Sequence, residues 1–305
     1  MRNTIVVTVI TIITTITTME SQQRKRKMEY SQDSYAKVNL FLDIISRLPN
    51  AYHEILTVFA EIDLHDKLKF LLTNKQEIKI LSNVENLNNS NNLIYKIAIY
   101  LQNRFGVKKG VIVKLTKRIP IAAGLGGGSS NAATTIQALS KLWELDLSEE
   151  IMHEIAAEFG SDINFFLKGG TAIGKNRGEV LEECTQIDLK NLLLVNPNIS
   201  ISSKTAYQAV TISQPSNTWK DLLETNDPQY CYNKLEEGLL SRYPIIMEIK
   251  NQLNNQGAKN ALLSGSGPTV IGFFDNPEIC KNAQTYFKEK GYWSYITTTR
   301  RRQEK

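Results

Sequence analysis

The stretch that most restricts the fold of this 305-residue chain is residues 120–135, Pro-Ile-Ala-Ala-Gly-Leu-Gly-Gly-Gly-Ser-Ser-Asn-Ala-Ala-Thr-Thr. Before it, Val111, Val113 and Leu115 alternate as on a strand; after it, Ala132, Ile136, Leu139 and Trp143 recur at helical spacing. A glycine-rich turn therefore joins a strand to a helix. Gly124, Gly126, Gly127 and Gly128 permit positive φ and keep any Cβ away from a ligand. Ser129 or Ser130 is expected to cap the helix. The free N–H groups and positive dipole end of its first turn form an anion site, most often for phosphate. Two better-known loops are excluded. A P-loop has Lys-Ser/Thr directly after its last glycine, where Ser129, Ser130 and Asn131 stand here, and a dinucleotide fingerprint needs glycine at position 129. A flexible linker would not lie between a strand and an amphipathic helix, with Pro120 setting the entry.

The run Pro120-x3-Gly124-Leu125-Gly126-Gly127-Gly128-Ser129-Ser130-Asn131-Ala132-Ala133 resembles the central motif of the GHMP kinases, named for galactokinase, homoserine, mevalonate and phosphomevalonate kinases. The resemblance implies an α+β fold of two domains, the first like domain 2 of ribosomal protein S5 and the second a ferredoxin-like sandwich. It implies an ATP-dependent small-alcohol kinase in which Pro120, Ala122, Ala123, Gly124, Leu125, Gly126, Gly127, Gly128, Ser129, Ser130 and Asn131 hold ATP. Mg²⁺ would bridge the phosphates, and Ser130 is the candidate to reach it.

Forty-two per cent of the residues are hydrophobic, enough for a substantial core in two domains or one large one. The formal net charge is +5, but residues 1–27 hold Arg2, Arg24, Lys25, Arg26 and Lys27 against Glu20 alone, so the remainder carries +1. With Arg300, Arg301 and Arg302 at the other end, the basic balance belongs to the chain ends and no nucleic-acid face is expected. Cys184, Cys231 and Cys280 lack pairing or zinc spacing, as suits a reducing, cytoplasmic setting without a structural metal. Residues 4–18 are apolar but shorter than the roughly 20 residues that span a bilayer. The basic cluster follows them instead of preceding them, unlike a signal peptide. Residues 1–27 read as an extension with no stable membrane association, 28–190 as the ATP-binding domain, 191–299 as the C-terminal domain and 300–305 as a basic tail. A monomer or weak homodimer is expected.

From Tyr35 to Ile44, Ala36, Val38, Leu40, Leu42 and Ile44 form an apolar face, with Lys37 and Asn39 projecting together on the other. By itself a lysine there reads as a solvated charge. Tyr35-Ala36-Lys37-Val38-Asn39-Leu40 and Asn50-Ala51-Tyr52-His53-Glu54-Ile55 resemble segments of one branch of the family, which phosphorylates 4-diphosphocytidyl-2-C-methyl-D-erythritol in the non-mevalonate isoprenoid pathway. That likeness implies that Tyr52 and His53 grip the cytidine. Ala51 replaces the branch's glycine.

Residues 67–118 read as strands and one helix, Leu93–Phe105, with an Asn-rich loop over 83–92. Lys117 and Arg118 could add charge near phosphates or simply end an exposed strand. Ser148 caps a helix that runs to Phe159 and stops at Gly160. Asp162 alone reads as a helix N-cap. In the family, the segment matched by Gly160, Asp162, Phe165 and Phe166 supplies the catalytic aspartate, although Asn164 replaces its usual proline. Asp162 would then accept the substrate proton, with Lys37 stabilising the oxyanion.

Pro197-x5-Ser203-x3-Tyr207 resembles the branch's cytidine-contacting stretch, which makes Ser203 and Tyr207 candidates and suggests that Tyr207 closes a sandwich against Tyr52. Residues 211–235 read as loop or loose helix. The order beyond is helix (244–256), strands (261–264 and 269–274) around Gly265-Ser266-Gly267, helix (277–290) and strand (292–299), an antiparallel α+β sandwich. Alone the glycines are a hairpin loop; Gly265, Ser266 and Gly267 match the third family motif, which meets substrate and nucleotide phosphates.

Overall fold

The computed structural model describes residues 28–49, 52–212 and 214–302. The expectations for residues 1–27 and for the turn at 50–51 lie outside them. In chain order the elements are β1 (Glu29–Arg47), β2 (His53–Thr73), β3 (Ile78–Ser82), α1 (Leu93–Phe105), β4 (Gly110–Thr116), α2 (Gly127–Leu142), α3 (Glu149–Phe159), α4 (Ile163–Lys168), β5 (Thr171–Asn176), β6 (Val180–Glu183) and β7 (Leu192–Asn196). Then come α5 (Ser203–Gln208), α6 (Thr218–Thr225), β8 (Tyr232–Asn233), α7 (Glu236–Leu239), α8 (Pro244–Asn255), β9 (Asn260–Leu263), β10 (Val270–Phe273), α9 (Pro277–Glu289) and β11 (Trp293–Thr297).

Two sheets organise the chain: a seven-stranded one ordered β3-β4-β2-β1-β8, with β5 on β2 and β6 on β5, and a four-stranded one ordered β11-β7-β10-β9. β2, 21 residues long, pairs along one edge with β1 and offers the other to β5 over residues 55–60 and to β4 over 67–73. The second sheet is antiparallel throughout.

Of the stretch 211–235, residues 214–235 are more ordered than their polarity suggests. They supply α6 and then β8, which runs parallel to β1 opposite Phe41 and Leu42. Tertiary pairing overrides a weak local pattern there.

The even residues Ala36, Val38 and Leu40 pack in one cluster with Leu192, Leu194, Ile271 and Phe273, so this face of the first sheet meets the second sheet. Its other face lies under the helices, where Phe59, Phe165, Ile136 and Ala132 share a cluster. With both faces covered in the middle of the strand, its odd positions Lys37, Asn39, Phe41 and Asp43 are buried as well. Lys37 is only 5% exposed, so the solvated reading of this lysine does not hold. A register shift between Asn39 and Phe41 breaks the strict alternation and brings Phe41 into the apolar cluster.

Candidate active site

The glycine stretch joins β4 to α2 as the pattern requires, but neither serine caps the helix. The N-cap is Gly126 at φ 66°, without a side-chain bond, and Ser129 and Ser130 fall within the first turns. Glycine in the left-handed region starts the helix earlier than a serine cap would. The first N–H groups of α2 have no intrahelical partner, and a Cβ on Gly128 would meet nothing within 4 Å, so open space lies beside them.

Three separate motifs converge on this loop. The Lys37 backbone N–H donates to the Leu125 carbonyl at 3.0 Å. A Cβ on Gly126 would lie 2.7 Å from the Phe166 ring and 3.0 Å from Lys37 Cγ. Ser264 Oγ donates to the Gly124 carbonyl at 3.1 Å, while a Cβ on Gly265 would lie 2.9 Å from Asn39 Oδ1. Only glycine permits such approaches. The Gly265 loop is held from behind by Asn233, whose amide donates to the carbonyls of Leu263 at 2.7 Å and Gly265 at 2.8 Å.

At the centre, Lys37 Nζ donates to Asn39 Oδ1 at 2.6 Å and stands 3.3 Å from Asp162 Oδ2. Asn39 in turn donates to Thr57 Oγ1 at 2.8 Å. Asp162 does occupy the N-cap position of α4, yet its side chain makes no capping bond; it is drawn toward the ammonium, and 35% of it remains exposed. A buried ammonium beside a half-open carboxylate offers a fixed positive charge and an acceptor to one incoming hydroxyl.

The aromatic pairing differs from the expected one. Tyr207 stacks on His53, with ring centroids 5.6 Å apart and planes at 22°, whereas Tyr52 is 58% exposed with the Arg177 guanidinium 5.2 Å over its ring. Tyr52, just ahead of β2, and His53, its first residue, therefore do not share a partner. Burial, and then the nearby charge of Asp162, push the Tyr207 phenol up. Burial, and then Arg47, lower the His53 pKa and favour its neutral ring. Ser203 Oγ lies 3.1 Å from Ser266 Oγ, so α5 meets the third glycine loop.

Sequence reasoning missed the buried polar group beneath the loop. Lys117 does not face outward as free charge. It is paired with Asp66, a carboxylate 0% exposed on β2, and burial lowers its pKa against the raising effect of that partner. Asp66 also accepts from the Arg118 and Ile119 backbone N–H groups and from the Asn131 amide. The Ser130 hydroxyl shares a 2.6 Å hydrogen bond with Ser34. Nothing in the run Asp63-Leu64-His65-Asp66 marks its last residue as buried, since it reads as an ordinary polar strand position. A cavity of about 520 Å³ lined by Tyr35, Glu61, Phe166 and Arg300 shares only Ser130 with the expected site. Burial raises the pKa of its Glu61 to about 7 against the opposing Arg300. Among the described residues, no group of three His, Cys, Asp or Glu is arranged to hold a metal, and no helix is long and apolar enough to cross a membrane.

This site on this fold defines a small-molecule kinase. Residues 92–170 match the family model for the N-terminal domain of GHMP kinases and residues 216–292 the model for their C-terminal domain, and the chain belongs to that family of ATP-dependent kinases. Among its relatives, the protein of Thermodesulfovibrio yellowstonii named 4-diphosphocytidyl-2-C-methyl-D-erythritol kinase is 39% identical over 279 residues, covering 87% of this chain and 96% of the relative. The Bacillus subtilis protein of the same name is 37% identical, covering 80% and 88%. A crystal structure of 4-(cytidine 5'-diphospho)-2C-methyl-D-erythritol kinase superposes with a TM-score of 0.78 at 27% identity, covering 89% of this chain and all of the other. A homoserine kinase from Cytophaga hutchinsonii, with a TM-score of 0.66 at 15% identity over 90% of this chain and 96% of the other, shares the fold.

Proposed function

We propose that the chain transfers the γ-phosphoryl group of ATP to the 2-hydroxyl of 4-diphosphocytidyl-2-C-methyl-D-erythritol, in the cytoplasmic non-mevalonate route to isoprenoid precursors. The observation that carries the reading is the 3.3 Å pair of Lys37 and Asp162 between the glycine loop of α2 and the Gly265 loop. The His53–Tyr207 stack at this site favours a base-bearing substrate over a plain small alcohol. The names of the relatives support the same substrate.

Phosphoryl transfer has a loose transition state whose charge lies on the transferring oxygens, so positioning and electrostatics supply most of the acceleration. The α2 N-terminus and the residues 124–129 loop hold the nucleotide phosphates through backbone N–H groups. Phosphate charge would be neutralised by Mg²⁺ bound with ATP. Oxygen donors suit that ion. The Ser130 hydroxyl and the Asp162 carboxylate fit the donor type, although Ser130 is engaged by Ser34. Asp162 accepts the proton of the substrate hydroxyl, and the buried Lys37 ammonium stabilises the developing oxyanion. Asn39 and Thr57 keep that ammonium in place. His53, Tyr207 and Ser203 hold the cytidine end and the Gly265-Ser266-Gly267 loop the phosphates, while Tyr52 stands at the surface beside Arg177.

The test is ADP release with ATP and Mg²⁺, offering the cytidyl substrate, mevalonate, homoserine and galactose to wild type and Asp162→Asn. Only the cytidyl substrate is expected to turn over, with kcat lowered about 10²–10⁴-fold in the variant and ATP still bound. Turnover of another alcohol would sink the cytidine reading, and ATP binding without any turnover would point to a sensor.

A further inference from the structure

We propose that Asp66 is a positioning residue for the ATP loop, gripping its entry and its exit with one carboxylate. The proposal rests on the residues 124–129 loop being the nucleotide phosphate site. Asp66 Oδ1 accepts from the backbone N–H groups of Arg118 at 2.7 Å and Ile119 at 2.9 Å, the two residues before Pro120. Its Oδ2 accepts from Asn131 Nδ2 at 2.9 Å, on the second turn of α2, and from Lys117 Nζ. The Asn131 amide also donates to Ser34 Oγ at 2.9 Å, which joins Ser130, so β1, β2, the segment just after β4 and α2 meet in one buried network. The Lys117 ammonium lies directly under the start of α2, since a Cβ on Gly127 would be 2.7 Å from it.

A buried ion pair is poor evidence for stability, because desolvation of both charges offsets their attraction. What this one does is geometric. The segment between its two grips is rich in glycine, the residue with the most conformational freedom to lose. Held at both ends, the loop is ordered before ATP arrives, and binding need not order it. Every lone pair of Asp66 is directed at a loop end or at the lysine beneath.

The experiment compares wild type with Asp66→Asn, Asn131→Ala and the exchange Asp66→Asn plus Asn131→Asp, reading KM for ATP, KM for the phosphoryl acceptor, kcat and Tm. Asp66→Asn keeps one acceptor for the backbone N–H groups but turns a donor toward the Asn131 amide and the Lys117 ammonium. KM for ATP is expected to rise about tenfold, the loss of a charge-assisted hydrogen bond, with acceptor KM and kcat at saturating ATP little changed. Asn131→Ala, which leaves the ion pair whole, should raise KM for ATP in the same direction, and it keeps the test open if Asp66→Asn fails to fold. The exchange returns a carboxylate to Lys117 and a complementary amide opposite it, while the Ser34 hydroxyl turns to donate. It should bring KM for ATP back within about threefold of wild type. Wild-type KM for ATP in Asn131→Ala, or an exchange that recovers Tm but not KM, would reduce Asp66 to a structural pair and overturn the proposal. Gly128→Glu separates the underlying reading, because it puts a carboxylate into the open space beside the helix start. If KM for ATP stayed unchanged there, the loop would not be the phosphate site and the proposal would fall with it.

Discussion

Single residues here carry charges in places where solvent cannot help them. Lys37 is tolerated inside because Asn39, Asp162 and the Phe59 ring, 5.2 Å from the ammonium, surround it. Glu61, its cross-strand neighbour, fares worse: burial raises its pKa to about 7, with Arg300 opposing, from an ordinary value of 4.5. Between those two values the folded chain keeps a proton that the unfolded chain has released. Stability therefore falls as pH rises through this window, by up to about 3 kcal/mol, and the contribution is fully present only at lower pH. Urea unfolding at pH 5 and pH 8 is expected to show that decline in wild type. In Glu61→Gln, which cannot ionise, this part of the decline should vanish; an equal decline in both would show that Glu61 is not its source.

At the scale of the element, α2 and its loop divide the glycines by task. Gly126 sits at φ 66° with Phe166 and Lys37 against it, whereas Gly128 faces open space. Gly126→Ala should cost about 1–3 kcal/mol from backbone strain and the clash with the ring. Gly128→Ala should leave stability unchanged or raise it by up to about 1 kcal/mol through helix propensity. On the proposed function it should nonetheless weaken ATP binding, because the new methyl enters the open space assigned there to the phosphates. Denaturant midpoints and KM for ATP, measured on both variants, separate the conformational use of one glycine from the access given by the other. The loop's place between strand and helix was legible from periodicity alone. Its cap was not, since serines are the commoner caps and nothing local says that a glycine will precede them.

The whole molecule is joined by segments whose local sequence says little. The short β8 joins the first sheet and lets Asn233 hold the Gly265 loop that follows β9 of the second. The chain end returns as well: Arg300, Arg301 and Arg302, read from the sequence as a basic tail, pair with Asp63, Asp188 and Glu183. Arg300 also lies 3.6 Å from Glu61 and covers the Tyr35 ring, its guanidinium 3.6 Å from the centroid. Arg300→Ala would leave the Glu61 carboxylate buried without a counter-charge, a loss of about 3 kcal/mol at pH 8. At pH 5, where Glu61 is protonated, the loss should be clearly smaller. Thermal or urea unfolding of the variant at the two pH values checks this, and an equal loss at both would mean that packing on Tyr35, not charge, gives Arg300 its worth.

The sequence by itself determined those elements whose signals are local. Alternation in Val111–Leu115, the glycine run, helical spacing from Ala132, and the capping signal at Ser148 are all local, and the observed cap at Ser148 accepts from the Ile151 N–H. Tertiary structure alone decided which charges are buried and which rings meet. Whether Lys37 is solvated depends on helices and a second sheet covering both faces of β1, and whether Tyr52 or His53 faces Tyr207 depends on the side from which α5 approaches. Asp66 went unseen for the same reason: the donors that justify a buried carboxylate come from residues 117–119 and 131, brought to β2 only when the chain closes around its core.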